Sequence, residues 1–374
     1  ALARIGPRAG VGVLVLLGLV NVLTIAWIAE AFGRTGSIRY GRVFMSRIVT
    51  EYLGRSSGIA RSVATLVYCV LALFAYYLGF STTLAASTPI PAWVWVALLF
   101  LVNVYYVRRK TISATVASAL VVGAASIVLI LLLSLLAFTQ ARAANLAYVA
   151  LPGVGGRPFD STLLQLAIGV VLTVYSGHLA LGNCAQVTLR RDPSGRALIR
   201  GASTALLASI VLFCIWVVAV NGAIAPETLA RETGTALVPL AAQFGTPVRI
   251  LGTIYVLLAI GLISVHAALN LFGLTREVLS PLRISERWRP LLHLVPMTVI
   301  VLLTEWMLIS QWSSFAQITS LRGALAPPVL VSARRHRKHG PVRVVATGWL
   351  YQALYRLGMP PFGLHRLYYG RVPE

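Results

Sequence analysis

Four consecutive residues, Tyr175, Ser176, Gly177 and His178, interrupt an otherwise apolar stretch with groups that can do chemistry. Gly177 allows a helix to open, and the amide and carbonyl groups freed there can meet a carboxylate or an ammonium group. The Ser176 hydroxyl can do the same, and His178 titrates near neutral pH, so it can carry a proton. The alternative is that these residues only pack between helices, where glycine is also common.

The composition indicates which elements must position these residues. The sequence is 58% hydrophobic and 11% charged, whereas soluble domains have about 25% charged residues, so an ordinary water-soluble fold is excluded. A bilayer core of about 30 Å needs roughly 20 apolar residues per helix. Long apolar runs without alternation predict helices rather than a closed barrel. The predicted spans lie near 10–33, 62–87, 91–107, 112–139, 162–188, 198–225, 248–275, 290–308 and 312–331.

The net charge of +22 is concentrated in every second loop. Basic clusters follow the first, third, fifth, seventh and ninth segments, as the positive-inside rule predicts for cytoplasmic loops. We therefore attribute the charge to topology and expect no nucleic-acid partner. The sequence predicts an integral protein of the plasma membrane, with a transmembrane domain over 1–331. A basic, aromatic tail over 332–374 is expected in the cytoplasm or at the interface.

Motifs of enzymes, metal sites and channels are absent from the sequence. The cysteines, Cys69, Cys184 and Cys214, have neither CxxC nor metal-ligand spacing, so neither disulfides nor a zinc site is expected. The chain contains no HExxH motif, catalytic triad or embedded aspartate pair. It also lacks a filter-like repeat or ring of charge. We predict that the protein is not an enzyme and has no bound metal.

The loop charges predict that Ala1 lies outside the cell. Because the sequence shows no secretory signal peptide, we expect that one helix precedes this chain and is missing from it. With that helix restored, ten spans divide into five plus five, and segment 162–188 begins the second half. Transporters built from inverted repeats bind substrate at the membrane midplane, where helices are discontinuous. The interruption VLTVYSGHLALGN in segment 162–188 has the character of such a helix.

Several segments resemble the amino acid/auxin permeases of the amino acid–polyamine–organocation superfamily. The stretch YSGHLALGNCAQVTLRRDPSGRALIRG at 175–201 is similar to that family's sixth helix and the loop after it. The first apolar segment, the EYLGRSSG loop and the Tyr-rich LFAYYLGF resemble its second and third helices. SVHAALNLFGLTREVL at 264–279 and SFAQITSLRGALAPP at 314–328 are similar to its eighth and tenth helices. The resemblance covers 10–331.

The resemblance implies an all-α, polytopic helix bundle with a five-plus-five inverted repeat of the leucine-transporter type, here without its first helix. It implies a secondary active transporter that moves amino acids by alternating access, with the proton favoured over sodium as the coupling ion and no other cofactor. The expected partners are an amino acid and membrane lipid. The alternative is a degenerate or regulatory relative that binds but does not transport, which the missing helix and the unusual Arg322 favour.

The resemblance also assigns roles to particular residues. Tyr175, Ser176, Gly177 and His178 would bind substrate, and His178 would also take part in proton coupling. Two further sets join them. Tyr76 and Tyr77, on the third helix, would close over the substrate or else only pack. Ser264 and His266 lie where this superfamily places ion or proton chemistry, although hydrogen bonding between helices explains them equally well.

A charged residue, Arg322, lies within the last apolar segment, where the family usually has a small or neutral residue. An Arg at mid-bilayer costs about 2.5–3.5 kcal/mol on insertion scales, so intramembrane charge points to a functional site. Arg322 would bind an acidic substrate or replace a cation; alternatively, it reaches water from near the helix end. Glu30 and Glu305 lie near the ends of their segments, so no carboxylate relay is expected.

Overall fold

The computed structural model describes most of the chain up to Ser310 and a short piece beyond it. The described residues are 2–35, 55–109, 112–153, 159–175, 177–232, 235–279, 285, 288–310 and 318–319. Ser176, Arg322, the tail over 332–374 and most of the ninth apolar segment lie outside these ranges. Within them every regular element is a helix, in agreement with the all-α fold expected from the sequence.

The first eight apolar segments all contain helix. In chain order the helices are α1 (Leu2–Ile5), α2 (Pro7–Thr35), α3 (Arg55–Ser87), α4 (Ala92–Arg109), α5 (Ile112–Phe138), α6 (Ala143–Ala147), α7 (Ser161–Val174), α8 (His178–Arg191), α9 (Arg196–Ala223), α10 (Pro226–Arg231), α11 (Leu237–Phe244), α12 (Thr246–Leu279), α13 (Arg289–Leu292) and α14 (Val295–Ser310). Two helices, α7 and α8, share the fifth segment.

Five of these helices, α2, α3, α5, α9 and α12, contain stretches long and apolar enough to cross a membrane. Shorter apolar helices are α4, α7 and α14. The outer surface is correspondingly apolar, since Val121 on α5 is 72% exposed and Ile309 on α14 is 83% exposed. Large apolar surfaces of this kind are rare in soluble monomers. These features are those of a helical membrane protein, and the count of nine spans stays a prediction.

The buried side chains form two hydrophobic cores. The α2/α9 core joins α2 and α9 to the interrupted pair α7 and α8, and includes Phe32, Val171 and Ile210. The α3/α12 core joins α3 and α12 to α4, α5, α11 and α14, and includes Leu73 and Leu271. The C-terminal end of α9 also contributes to the α3/α12 core, so this helix connects the two.

The bundle has two distinct ends. At one end the backbone N–H of Ala150 donates to the carbonyl of Ile5 at 3.1 Å, beside the start of α2. At the other end Gly33 lies against Gly195, in the turn between α8 and α9. We call this second end, with the C-termini of α4, α8 and α12, the basic end. Exposed arginines on its helices are Arg108, Arg190, Arg191, Arg196, Arg200 and Arg276, and those described at the first end are Arg4, Arg8, Arg142, Arg231 and Arg249. The name follows the basic clusters of the sequence, most of which belong to the second end.

Candidate functional site

The helix over the fifth apolar segment is broken at the residues that the sequence singles out. Helix α7 ends at Val174 and α8 begins at His178. The amide of Tyr175 still donates to the Val171 carbonyl at 3.3 Å, whereas the amide of Gly177 donates to the Tyr175 carbonyl at 2.8 Å. The interruption predicted from the sequence is therefore confirmed as a break in the helix. Ser176 lies outside the described residues.

Tyr175 attaches this break to the neighbouring helices. Its side chain is only 1% exposed, and its hydroxyl donates to the Leu14 carbonyl on α2 at 3.1 Å. Its ring packs edge-to-face on Phe213 of α9, with the ring centroids 5.7 Å apart. A buried tyrosine usually finds a hydrogen-bond partner of this kind. Tyr175 therefore holds the end of α7 between α2 and α9 rather than lying open at the break.

His178, the first residue of α8, is half-buried and joins the break to the middle of α2. Its Nε2 lies 2.9 Å from the Thr24 Oγ1. The Thr24 hydroxyl is also 3.0 Å from the Asn21 carbonyl, to which it can donate. The Asn21 amide in turn donates to the Leu17 carbonyl at 2.8 Å. Asn21 and Thr24 were missed by the sequence reasoning, although they are the polar residues of the apolar run VNVLTI.

Beside these buried contacts the break has an open side. Gly177 is exposed, and among the described residues no atom beyond its chain neighbours lies within 4 Å of a Cβ placed on it. The first amides of a helix have no partner within the helix, and its N-terminal end carries partial positive charge. At the end of α7 the Tyr175 amide donates to the Val171 and Thr173 carbonyls, and a carbonyl oxygen with one such hydrogen bond can accept another. The break can therefore present donors for an anion and acceptors for a cation within a short distance.

A second polar group crosses the α3/α12 core. The Asn103 side chain on α4 lies 3.1 Å from the Tyr77 hydroxyl on α3 and 3.1 Å from the Ser264 hydroxyl on α12. All three residues are fully buried. Ser264 also lies 2.7 Å from the Gly261 carbonyl of its own helix. The structure thus brings two sequence candidates together through Asn103, which the sequence reasoning missed.

The other sequence candidates are dispersed. Tyr76 is half-buried and packs against the α3/α12 core. The Nδ1 of His266 lies 3.0 Å from the Leu262 carbonyl of its own helix. Arg322 lies outside the described residues. The candidates therefore fall into two sets, one at the break beside the α2/α9 core and one within or against the α3/α12 core.

A carboxylate stabilises the turn that follows α8 at the basic end. The Ser194 hydroxyl donates to Asp192 at 2.5 Å, and the Ala197 amide donates to it at 2.7 Å. These hydrogen bonds hold the pKa of the Asp192 carboxyl below its ordinary value, and the one from the Ser194 hydroxyl contributes most. The turn also contains Gly195 at φ +74°, and a Cβ there would lie 3.2 Å from the Gly33 Cα. The turn and the end of α2 are therefore closely fitted.

Within the described part of the chain, no three His, Cys, Asp or Glu side chains are placed to hold a metal ion together. Comparisons with models of protein families and with curated proteins find no match to this chain.

Proposed function

We propose that this chain is a secondary active transporter that moves amino acids across a membrane by alternating access, coupled to protons. The observation that carries the proposal is the helix break between Val174 and His178. It places an exposed glycine and a half-buried histidine beside the middle of α2, in a helical membrane protein. Discontinuous helices of this kind surround the substrate and coupling ion in transporters built from inverted repeats.

The pairing of helices supports a five-plus-five inverted repeat. If α2, α3 and α4 correspond to α9, α12 and α14, each helix packs against its own counterpart. The other contacts among these six helices also map onto one another. The contact of α4 with α12 corresponds to that of α14 with α3, and the contact of α3 with α4 corresponds to that of α12 with α14. Exchanging the two halves therefore leaves this set of contacts unchanged.

The directions of the helices support inversion rather than simple repetition. Helix α2 runs toward the basic end, whereas its counterpart α9 starts there, at Arg196. Helix α3 runs toward the opposite end, where Thr83 lies 2.9 Å from Thr235 in the segment before α11. Its counterpart α12 starts near that end and runs back. Corresponding helices thus cross the bundle in opposite directions, as an inverted repeat requires.

The two hydrophobic cores support alternating access. The interrupted helix belongs with α2 and α9, while α3, α4, α12 and α14 pack together as a separate group. Alternating access takes place largely by rigid-body movement of one group against the other around a fixed site. If a site lies at the edge of one group and faces the other, such a movement would open it first to one end of the bundle and then to the other. The basic end faces the cytoplasm in this proposal, in accordance with the positive-inside rule.

The chemistry of the break fits an amino acid and a proton. The first amides of α8 can bind a carboxylate, as helix N-termini bind anions. The last carbonyls of α7 can accept hydrogen bonds from an ammonium group. His178 is the titratable side chain at this position and can exchange a proton near neutral pH. Substrate and proton would therefore bind within the same short segment.

Uptake by the full-length gene product in liposomes tests the proposal. We expect one class of amino acid to be accumulated when an inward proton gradient is imposed, with or without sodium. His178→Gln should abolish proton-driven uptake. His266→Gln tests the other candidate for coupling, a histidine that bonds within its own helix; proton-driven uptake lost in His266→Gln but kept in His178→Gln would assign the coupling to His266 instead.

Thermal stability with the same amino acids separates transport from binding. A ligand that binds only the folded state raises stability as its concentration passes its dissociation constant. Selective stabilisation without uptake would favour the alternative, a relative that binds but does not transport. No stabilisation and no uptake with any of the twenty amino acids would overturn the proposal.

A further inference from the structure

Four arginines surround the single turn that joins α8 to α9 at the basic end. Two of them end α8 and two belong to the first turns of α9, namely Arg190, Arg191, Arg196 and Arg200. All four side chains are exposed. A short stretch of chain therefore presents four guanidinium groups at one place on the surface.

The one carboxylate of this stretch is already engaged by the turn itself. Asp192 accepts through Oδ1 from the Ser194 amide at 3.1 Å and through Oδ2 from the Ala197 amide at 2.7 Å. In the part of the chain that the structure describes, none of the four arginines has a carboxylate within ion-pair distance. Four arginines and one aspartate leave a surplus of three positive charges at the turn.

Arg196 and Arg200 stand at one end of an outward-facing stripe of α9. At about 3.6 residues per turn, Leu207 and Val211 fall within about 60° of the two arginines around the helix axis. Leu207 is 46% exposed and Val211 is 59% exposed. A rise of about 1.5 Å per residue places Leu207 about 10 Å further along the helix than Arg200. The stripe therefore changes from charged to apolar within a short distance.

A phospholipid with an anionic headgroup has the complementary layout. Guanidinium groups bind phosphate oxygens through two parallel hydrogen bonds, and arginine stems can lie over apolar surface while their charged ends stay at the headgroup. The acyl chains then lie along the apolar part of the stripe. A free phosphate ion would match only the arginines, and a neighbouring apolar helix would match only Leu207 and Val211. An anionic lipid matches both parts.

We propose that the α8–α9 turn and the outward stripe of α9 form a binding site for an anionic phospholipid, whose phosphate is bound by Arg196 and Arg200. Arg190 and Arg191 add to the positive potential at the same turn. The positive-inside rule accounts for arginines at this end of the bundle. It does not require that they gather at one turn, or that an exposed apolar stripe continues from them.

A lipid at this turn would stabilise an attachment that three helices share. The turn joins α8 to α9, and it also lies against the end of α2, where a Cβ on Gly195 would be 3.2 Å from the Gly33 Cα. Because a ligand that binds only the folded state raises stability as its concentration passes its dissociation constant, binding here should be visible as a rise in thermal stability.

Thermal stability of the full-length gene product tests the site. The protein is purified in a neutral detergent and titrated with phosphatidylglycerol, with phosphatidylcholine of the same acyl chains, or with inorganic phosphate. We expect phosphatidylglycerol to stabilise the protein at concentrations at which the other two do not. Equal stabilisation by the two lipids, stabilisation by phosphate alone, or no effect of phosphatidylglycerol would overturn the proposal. The last result would be expected if a neighbouring helix covers the stripe.

Two double variants separate a site from the general charge of the basic end. Arg196→Gln with Arg200→Gln removes two charges from the proposed site. Arg108→Gln with Arg276→Gln removes two exposed charges from α4 and α12 at the same end. An arginine near an anionic surface contributes about fivefold to binding, so the first pair should raise the apparent dissociation constant for phosphatidylglycerol about thirtyfold.

The second pair should leave that dissociation constant nearly unchanged, and both double variants should have wild-type stability without anionic lipid, which shows that the fold is retained. Equal losses in the two double variants would indicate attraction to the whole basic end and would overturn the site.

The lipid site does not depend on the proposed function, and the two can fail separately. If phosphatidylglycerol binds as expected but no amino acid is transported, the lipid site stands and the transport proposal is wrong. If uptake is proton-driven but phosphatidylglycerol stabilises no more than phosphatidylcholine, the transport proposal stands and the lipid site is wrong.

Discussion

The close approach of α2 to α9 at Gly18 allows a quantitative test of the packing around the helix break. A Cβ at this position would lie 2.6 Å from the Cγ1 of Ile210, 2.7 Å from its Cδ1 and 3.0 Å from the Tyr175 hydroxyl oxygen. Overpacking a core by one methyl group costs about 1–3 kcal/mol. Replacing Gly by Ala within a helix returns about 0.5–1 kcal/mol. We therefore expect Gly18→Ala to lower the free energy of unfolding by at most about 2.5 kcal/mol, with a central value of about 1 kcal/mol.

The assay is reversible unfolding in mixed micelles, followed by circular dichroism, with Gly12→Ala as the matched control. Gly12 lies on the same helix, and a Cβ there meets no other atom of the described residues within 4 Å, so this substitution should be neutral or stabilising. Ile210→Ala removes the two closest crowding atoms and leaves only the Tyr175 hydroxyl at 3.0 Å, so the penalty of Gly18→Ala should be clearly smaller in that background. Equal effects at Gly12 and Gly18, or additive effects of Gly18→Ala and Ile210→Ala, would refute the reasoning.

Other positions give shorter tests. Asn103→Leu removes hydrogen bonds to two neighbouring helices in a buried position and should cost about 1–3 kcal/mol of unfolding free energy in the same assay; no loss would contradict the network. The lowered pKa of Asp192 means that its stabilisation of the turn is present above the ordinary carboxyl range and is lost as pH falls through the lowered value. Hydrogen exchange should show this loss at the Ala197 amide, and Asp192→Asn should remove the pH dependence. Gly195→Ala forces a side chain into left-handed backbone and should cost about 1–2 kcal/mol in unfolding; wild-type stability would contradict the assignment.

The positions of the long helices could be predicted because membrane burial leaves few alternatives. A run of about 20 apolar residues must satisfy its backbone groups internally, so it forms a helix wherever it occurs. The break in the fifth segment was predictable for a related reason. Consecutive Tyr, Ser, Gly and His disfavour a continuous helix, and they lie in the middle of one apolar segment rather than between two segments. Local composition was sufficient for both results.

The partners of the candidate residues could not be predicted because they depend on how distant helices pack. Thr24 and His178 are 154 residues apart in the sequence, and Asn103 and Ser264 are 161 residues apart. A single threonine or asparagine in an apolar helix carries no signal of which helix it faces. Such residues also bond within their own helix, as Asn21 does with Leu17. The sequence could identify Tyr175 and His178 as candidates, but only the structure shows what holds each of them.

The separation of the candidates into two cores changes what Tyr77 can do. Two roles are expected for Tyr77, closing over the substrate or only packing, and its ring is fully buried with its hydroxyl bonded to Asn103 inside the α3/α12 core. A movement of the two cores as rigid bodies would leave that bond intact, because Tyr77, Asn103 and Ser264 all move together. A direct contact between the Tyr77 hydroxyl and a substrate therefore requires the α3/α12 core to open locally. Tyr76 is only half-buried against the same core, so part of its side chain is already exposed.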